Sequence, residues 1–110
     1  MSKSLIVQKY GGTSVGTLER IEHVADRITK TRKTGPDIVV VVSAMAGETD
    51  KLLKMACRLS KNPARREIDL LLSSGERISA ALLTIALQAR GISALSMTGR
   101  QIGLQTDSTH

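Results

Sequence analysis

Apolar residues follow two rhythms along the chain. The run SLIVQKY, residues 4–10, ends at paired glycines and predicts a first strand. Beyond it, Leu18, Ile21, Val24, Ala25 and Ile28 recur at three- and four-residue steps, the spacing of one apolar helix face within residues 14–34. Gly35-Pro36 is a stop signal. Asp37 then leads into five consecutive β-branched residues, Ile38 to Val42, too apolar for a sheet edge and typical of a parallel strand covered on both faces. After a small-residue turn from Ser43 to Gly47, a second helix is expected to begin near Thr49 or Asp50 and to bury Leu52, Leu53, Ala56 and Leu59. Asn62-Pro63 offers a cap and a first-turn proline for a third helix carrying Ile68 and Leu70 to Leu72. The sequence SSGE, residues 73–76, is expected to interrupt that helix, which then resumes as far as Gly91, a C-terminal cap. ISALSM, residues 92–97, predicts a third strand.

Strands alternating with helices in this order imply right-handed crossovers around a mainly parallel sheet, hence an α/β fold of three-layer αβα type. No internal repeat, low-complexity tract or linker divides the 110 residues. The last segment, TGRQIGLQTDSTH, carries turn and strand signals but no closing element. A three-stranded parallel sheet would leave its edges uncovered, so the chain is expected to be the front of a longer domain.

Composition narrows the function classes. Hydrophobic residues make up 41% of the chain, but with one Tyr and no Trp or Phe the core must be aliphatic. The single cysteine, Cys57, excludes an intrachain disulfide, and its place beside the second helix's apolar face predicts a small packed side chain. The N-terminal apolar run is too short for a signal peptide and no segment is expected to approach a membrane span, which together predict a cytoplasmic location. The net charge of +6 raises the possibility of nucleic acid. Its densest patch, Lys30, Arg32 and Lys33, lies at a helix end, where cations complement the dipole. With almost no aromatic surface to stack bases, no nucleic-acid partner is expected.

The candidate chemistry lies in the two turns, GGTSVG and SAMAGETD, that follow the first two strands. In an open α/β sheet, ligands sit beyond the carboxyl ends of the strands. Gly11 and Gly12 allow backbone N–H groups to approach a ligand, Thr13 or Ser14 can cap the next helix, and Lys9 can bring an ammonium to the same place. Together they suit phosphate. A Walker loop is excluded because its lysine follows the glycines, whereas Lys9 precedes them. A dinucleotide fingerprint is excluded because Thr13 stands where glycine is needed and Ser43 where an acid is needed.

KYGGTSVG, VVSAMAGETD, SSGERIS and TGRQIGLQTDS, in this order and at these intervals, resemble the start of the aspartokinases, within the amino acid kinase family. The resemblance runs from about Ile6 to His110. It implies ATP-dependent phosphorylation of the side-chain carboxylate of L-aspartate, the entry to lysine, threonine and methionine biosynthesis. In that family the kinase domain is more than twice this length and is usually followed by regulatory ACT domains, so residues 1–110 would be its N-terminal portion. By the same resemblance Lys9 contacts the transferring phosphate, and Lys9, Tyr10, Gly11, Gly12 and Ser14 bind ATP. Ser43, Thr49 and Glu76 line the aspartate site, Glu76 pairing with the substrate α-amino group. Magnesium would arrive with ATP, held largely by phosphates and not by a protein cluster. The full-length protein would be a homo-oligomer.

Several of these residues have structural alternatives. The glycines could serve only a tight turn, Ser14 or Thr49 only a helix cap, and Ser73 to Glu76 a capping box. Asp50 reads as first-turn charge, Arg77 as a surface residue, Met45 as turn packing, and His23 and His110 as residues off any site. Related kinases acting on acetylglutamate, glutamate or a nucleoside monophosphate, and a non-catalytic partner of a longer kinase, remain as rival readings.

Overall fold

A computed structural model of the chain describes residues 4–97. The elements run β1 (Leu5–Tyr10), α1 (Leu18–Lys33), β2 (Asp37–Val42), α2 (Glu48–Leu59) and α3 (Arg65–Ala89). β1 and β2 pair in parallel, in register from Leu5 opposite Asp37 to Tyr10 opposite Val42, with α1 as the crossover. The α/β class with a parallel sheet is therefore as the alternation of patterns predicts.

Strand geometry sends alternate side chains to opposite faces. Tyr10, Ile38, Val40 and Val42 face the helices and join a core of Val15, Ile21, Val24, Ala25, Ile28, Leu83 and Leu87. A Val, Leu or Ile side chain among them contributes about 1.5–3 kcal/mol on full burial. α1 is also well terminated. Thr17 Oγ1 accepts from the Arg20 N–H at 3.2 Å, Glu19 sits in the first turn, and Lys30, Arg32 and Lys33 occupy the last. α3 ends in a glycine turn in which Gly91 N–H donates to Gln88 O and Ile92 N–H to Leu87 O. Gly91 has φ of +81°, a left-handed conformation that favours glycine.

Other expectations are corrected. The first helix starts at Leu18, capped by Thr17 and not by Thr13 or Ser14, because residues 11–16 form tight turns in which Ser14 N–H donates to Gly11 O and Gly16 N–H to Thr13 O. Leu18, placed on the apolar face by its spacing, is exposed. α2 begins at Glu48 after Gly47, whose φ of +84° turns the chain. None of its residues is fully buried, Leu59 is exposed, and Cys57 is a free exposed thiol because it lies away from the contact with α3. Ala64, and not Asn62, holds the cap position of α3, leaving Pro63 outside the helix. SSGE does not interrupt that helix, since Ser73 and Ser74 hydroxyls both donate back to Leu70 O at 2.9 Å.

The uninterrupted helix joins two apolar runs. At 25 residues and a mean hydropathy of 1.4 in its most apolar stretch, α3 is long and apolar enough by composition to cross a membrane, contrary to expectation. Its buried face, Gly75, Ser79, Leu83 and Leu87, packs instead within this domain.

Residues 92–97 form no strand, although Ile92 and Ala94 pack against the core. Gln88 Nε2 donates to Ala94 O at 3.0 Å, holding the segment toward α3, while a cleft of about 510 Å³ lies among β2, α3 and the segment. The ladder bonds to β2 are therefore not made. β2 is likewise covered on one face only among the described residues, because α1 and α3 lie on the same side of the sheet. The TGRQIGLQTDSTH segment, with His110, lies outside the described residues.

Candidate active site

Parallel pairing sets the carboxyl ends of β1 and β2 side by side, and hydrogen bonds join the turns that follow. Ser43 N–H donates to Tyr10 O at 3.1 Å, and Ala46 N–H donates to Gly12 O at 3.1 Å. The turns touch so closely that a β-carbon on Gly12 would lie 2.8 Å from Ala44 O, and one on Gly16 would lie 3.3 Å from Ala46 Cβ. On its other side the second turn meets α3, where a β-carbon on Gly75 would lie 3.0 Å from Ala44 Cβ. Lys9 to Ser14, Ser43 to Thr49 and the middle of α3 thus converge on one edge.

The two leading glycines have different reasons. Gly12 is required by packing, so the tight-turn reading explains it fully. Gly11 is exposed, has no positive φ, and a β-carbon there would meet nothing within 4 Å. Nothing in the described chain requires its bare backbone. The N–H groups of Gly12 and Thr13 find no acceptor among the described residues, so they are available to an external anion.

Lys9 is exposed at the end of β1, and its ammonium has no ion-pair partner among the described residues. The Tyr10 side chain lies in the core, its hydroxyl donating to Gln8 Oε1 at 2.9 Å, so only its backbone reaches the edge. Ser14 is exposed, and with Thr17 as the cap its hydroxyl has no helix to terminate. Ser43 is half-buried and Thr49 exposed within the first turn of α2. Since Gly47 holds the cap position, Thr49 is not the cap either. Glu76 is exposed in the interior of α3, where a capping box has no place. Its carboxylate has no ion-pair partner among the described residues. Asp50 does lie in the first turn of α2, and Arg77 is exposed. Met45 is half-buried against the core, as expected for turn packing.

Among the described residues, a lowered carboxyl pKa is found away from this edge, at Asp26. Arg90 Nε–H donates to Asp26 Oδ1 at 2.7 Å and holds that carboxyl below its ordinary range, linking α3 to α1. Sequence reasoning missed Gly75 and Ala44 as a contact. The signal was present, since a glycine within a helical pattern marks a possible close approach.

Comparisons with known proteins identify the family. The amino acid kinase family model matches residues 4–110. The chain belongs to the amino acid kinase family. It is 55% identical over 107 residues to an aspartate kinase of Stutzerimonas stutzeri, covering 97% of this chain and 26% of that protein. An aspartokinase of Geobacillus stearothermophilus is 51% identical over 106 residues, covering 96% of this chain and 26% of its own length. The crystal structure of an aspartate kinase from Synechocystis superposes with a TM-score of 0.86 at 57% identity, covering 89% of this chain and 17% of the other. The chain spans about a quarter of the length of the curated relatives it matches.

Proposed function

We propose that this chain is the N-terminal portion of an aspartokinase catalytic domain and supplies the phosphate cradle and part of the amino-acid site. The observation that carries the reading is Gly11: a glycine unneeded by the fold, between Lys9 and two N–H groups without acceptors. Phosphoryl transfer depends on positioning and on neutralising charge, which these donors suit. The relatives' names favour aspartate over other acceptors.

In this reading a side-chain carboxylate oxygen of aspartate attacks the γ-phosphorus of ATP. The bond to the β,γ-bridging oxygen breaks, giving 4-phosphoaspartate and ADP. Lys9 and the N–H groups of Gly12 and Thr13 hold the phosphates, while Ser43, Thr49 and Glu76 orient the amino acid by hydrogen bonds. Tyr10 acts through its carbonyl, which holds Ser43 in place. Magnesium would accompany ATP and neutralise phosphate charge. The protein would work in the cytoplasm, as a homo-oligomer of the longer polypeptide, and the 110 residues alone would show little or no turnover.

The test is ATP-dependent phosphorylation by the longest native polypeptide containing this sequence, offered aspartate, glutamate, acetylglutamate and uridylate. Aspartate alone is expected to turn over, and Lys9→Ala to lower the rate by about 100-fold or more. Turnover of a different acceptor, or a Lys9→Ala enzyme matching its parent, overturns the reading. A folded protein active on none of the four would point instead to a non-catalytic partner.

A further inference from the structure

Glycine inside a helix costs about 1 kcal/mol relative to alanine, so a buried glycine near the middle of α3 calls for an offsetting reason. Gly75 has no positive φ that would demand it. Its reason is the turn beneath: a β-carbon at Gly75 would stand 3.0 Å from Ala44 Cβ, and 3.8 Å from both Glu48 Cγ and Leu52 Cδ1. Only the Ala44 contact is tight.

The turn cannot retreat from such a β-carbon. Behind it stands Gly12, whose own missing β-carbon already leaves just enough room for Ala44 O, and whose carbonyl accepts from Ala46 N–H. That second boundary is backbone, which has no rotamer to change. A methyl group at position 75 is therefore accommodated by α3 moving outward, and α3 carries Glu76 with it. Gly11 to Ser14 stay where they are, because nothing in their own contacts has altered.

We propose that Gly75 and Ala44 are a positioning pair that sets the distance from Glu76 on α3 to Ser43 and Thr49, and so tunes the amino-acid subsite separately from the phosphate cradle. The inference rests on the assignment of Glu76 to the amino acid made above. Neither residue need touch a substrate. Their role is carried by the close approach of two backbones.

The experiment compares Gly75→Ala, Ala44→Gly and the double variant in the longest native polypeptide, with steady-state kinetics for aspartate and ATP. Gly75→Ala is expected to raise KM for aspartate about 10-fold, in line with the steep cost of small misplacements, while KM for ATP stays within about twofold. Ala44→Gly placed in the same chain removes the opposing methyl and is expected to bring KM for aspartate back to within about twofold of the parent. A merely structural role would shift both constants together or lower only the amount of folded enzyme. Equal rises in the two KM values, an unchanged KM for aspartate, or no recovery in the double variant overturns the proposal. Should Gly75→Ala alone fail to fold, the double variant decides: folded enzyme with the parental KM supports the pair, and a second failure to fold overturns it. A parent that does not phosphorylate aspartate removes the assignment of Glu76, and the inference with it. A parent active on aspartate alongside an indifferent Gly75→Ala removes the pair alone.

Discussion

The two faces of the β1–β2 sheet are nearly alike in composition and opposite in surroundings. On one, Ile38, Val40, Val42 and Tyr10 lie under α1 and α3. On the other, Leu5 and Val7 remain 63% and 66% exposed, with Val41 at 39%. An uninterrupted β-branched run indicates that both faces are suited to burial, yet only one is covered by the described residues. The difference teaches that hydrophobic pattern reports what a strand can bury, whereas which face it buries depends on where the neighbouring helices cross. Among the described residues, that distinction separates the covered face of the sheet from the open one.

The strongest way to break this comparison is a pair of substitutions. Ile21→Ala, beneath the covered face and 2% exposed, is expected to cost about 2–5 kcal/mol in urea unfolding. Val7→Ser on the open face is expected to stay within about 0.5 kcal/mol. Similar losses for the two would erase the asymmetry.

A sharper form contrasts adjacent residues of the first turn. Gly12→Ala would drive a β-carbon against Ala44 O, a clash expected to cost about 1–3 kcal/mol. Gly11→Ala meets open space and should leave stability within about 0.5 kcal/mol while weakening ATP-dependent turnover. If Gly11→Ala proved as destabilising as Gly12→Ala, the fold itself would need Gly11 and the argument for a ligand there would lapse.

The smallest effect concerns the link between α1 and α3. Arg90 depresses the pKa of Asp26, so the pair stabilises the folded state above the ordinary carboxylate value of about 3.9, and that contribution is lost as pH falls from there through the depressed value. Asp26 is 61% exposed, so the contribution is small. Asp26→Asn should lower the melting temperature slightly at pH 7, and the gap from the parent should close in acid. A gap that instead widened in acid would contradict the sign.

The legible parts of the fold share a local cause. α1 could be read because its apolar face and its basic last turn are consecutive sequence, and Gly35-Pro36 marks its end. SSGE is no break because Gly75 answers to Ala44, about thirty residues earlier, and a glycine in a helical pattern marks a close approach without naming its partner. ISALSM has strand composition, but pairing depends on the reach of β2, which the segment does not meet. At the candidate site, the residue types at the strand ends were legible from spacing. The roles of Thr49 and Glu76 as caps could be dismissed only once Gly47 and the unbroken α3 were seen.

The continuity of α3 also has a mechanical consequence. Near Ala89 the helix is held: Leu83 and Leu87 lie in the core with α1, and the turn at Gly91 fastens its last carbonyls. Near its midpoint it rests on Ala44. A beam held at one end and lifted at a fulcrum moves most at its far end. A displacement at Gly75 would therefore grow over the roughly 15 Å of helix toward Arg65 and fade toward Ala89.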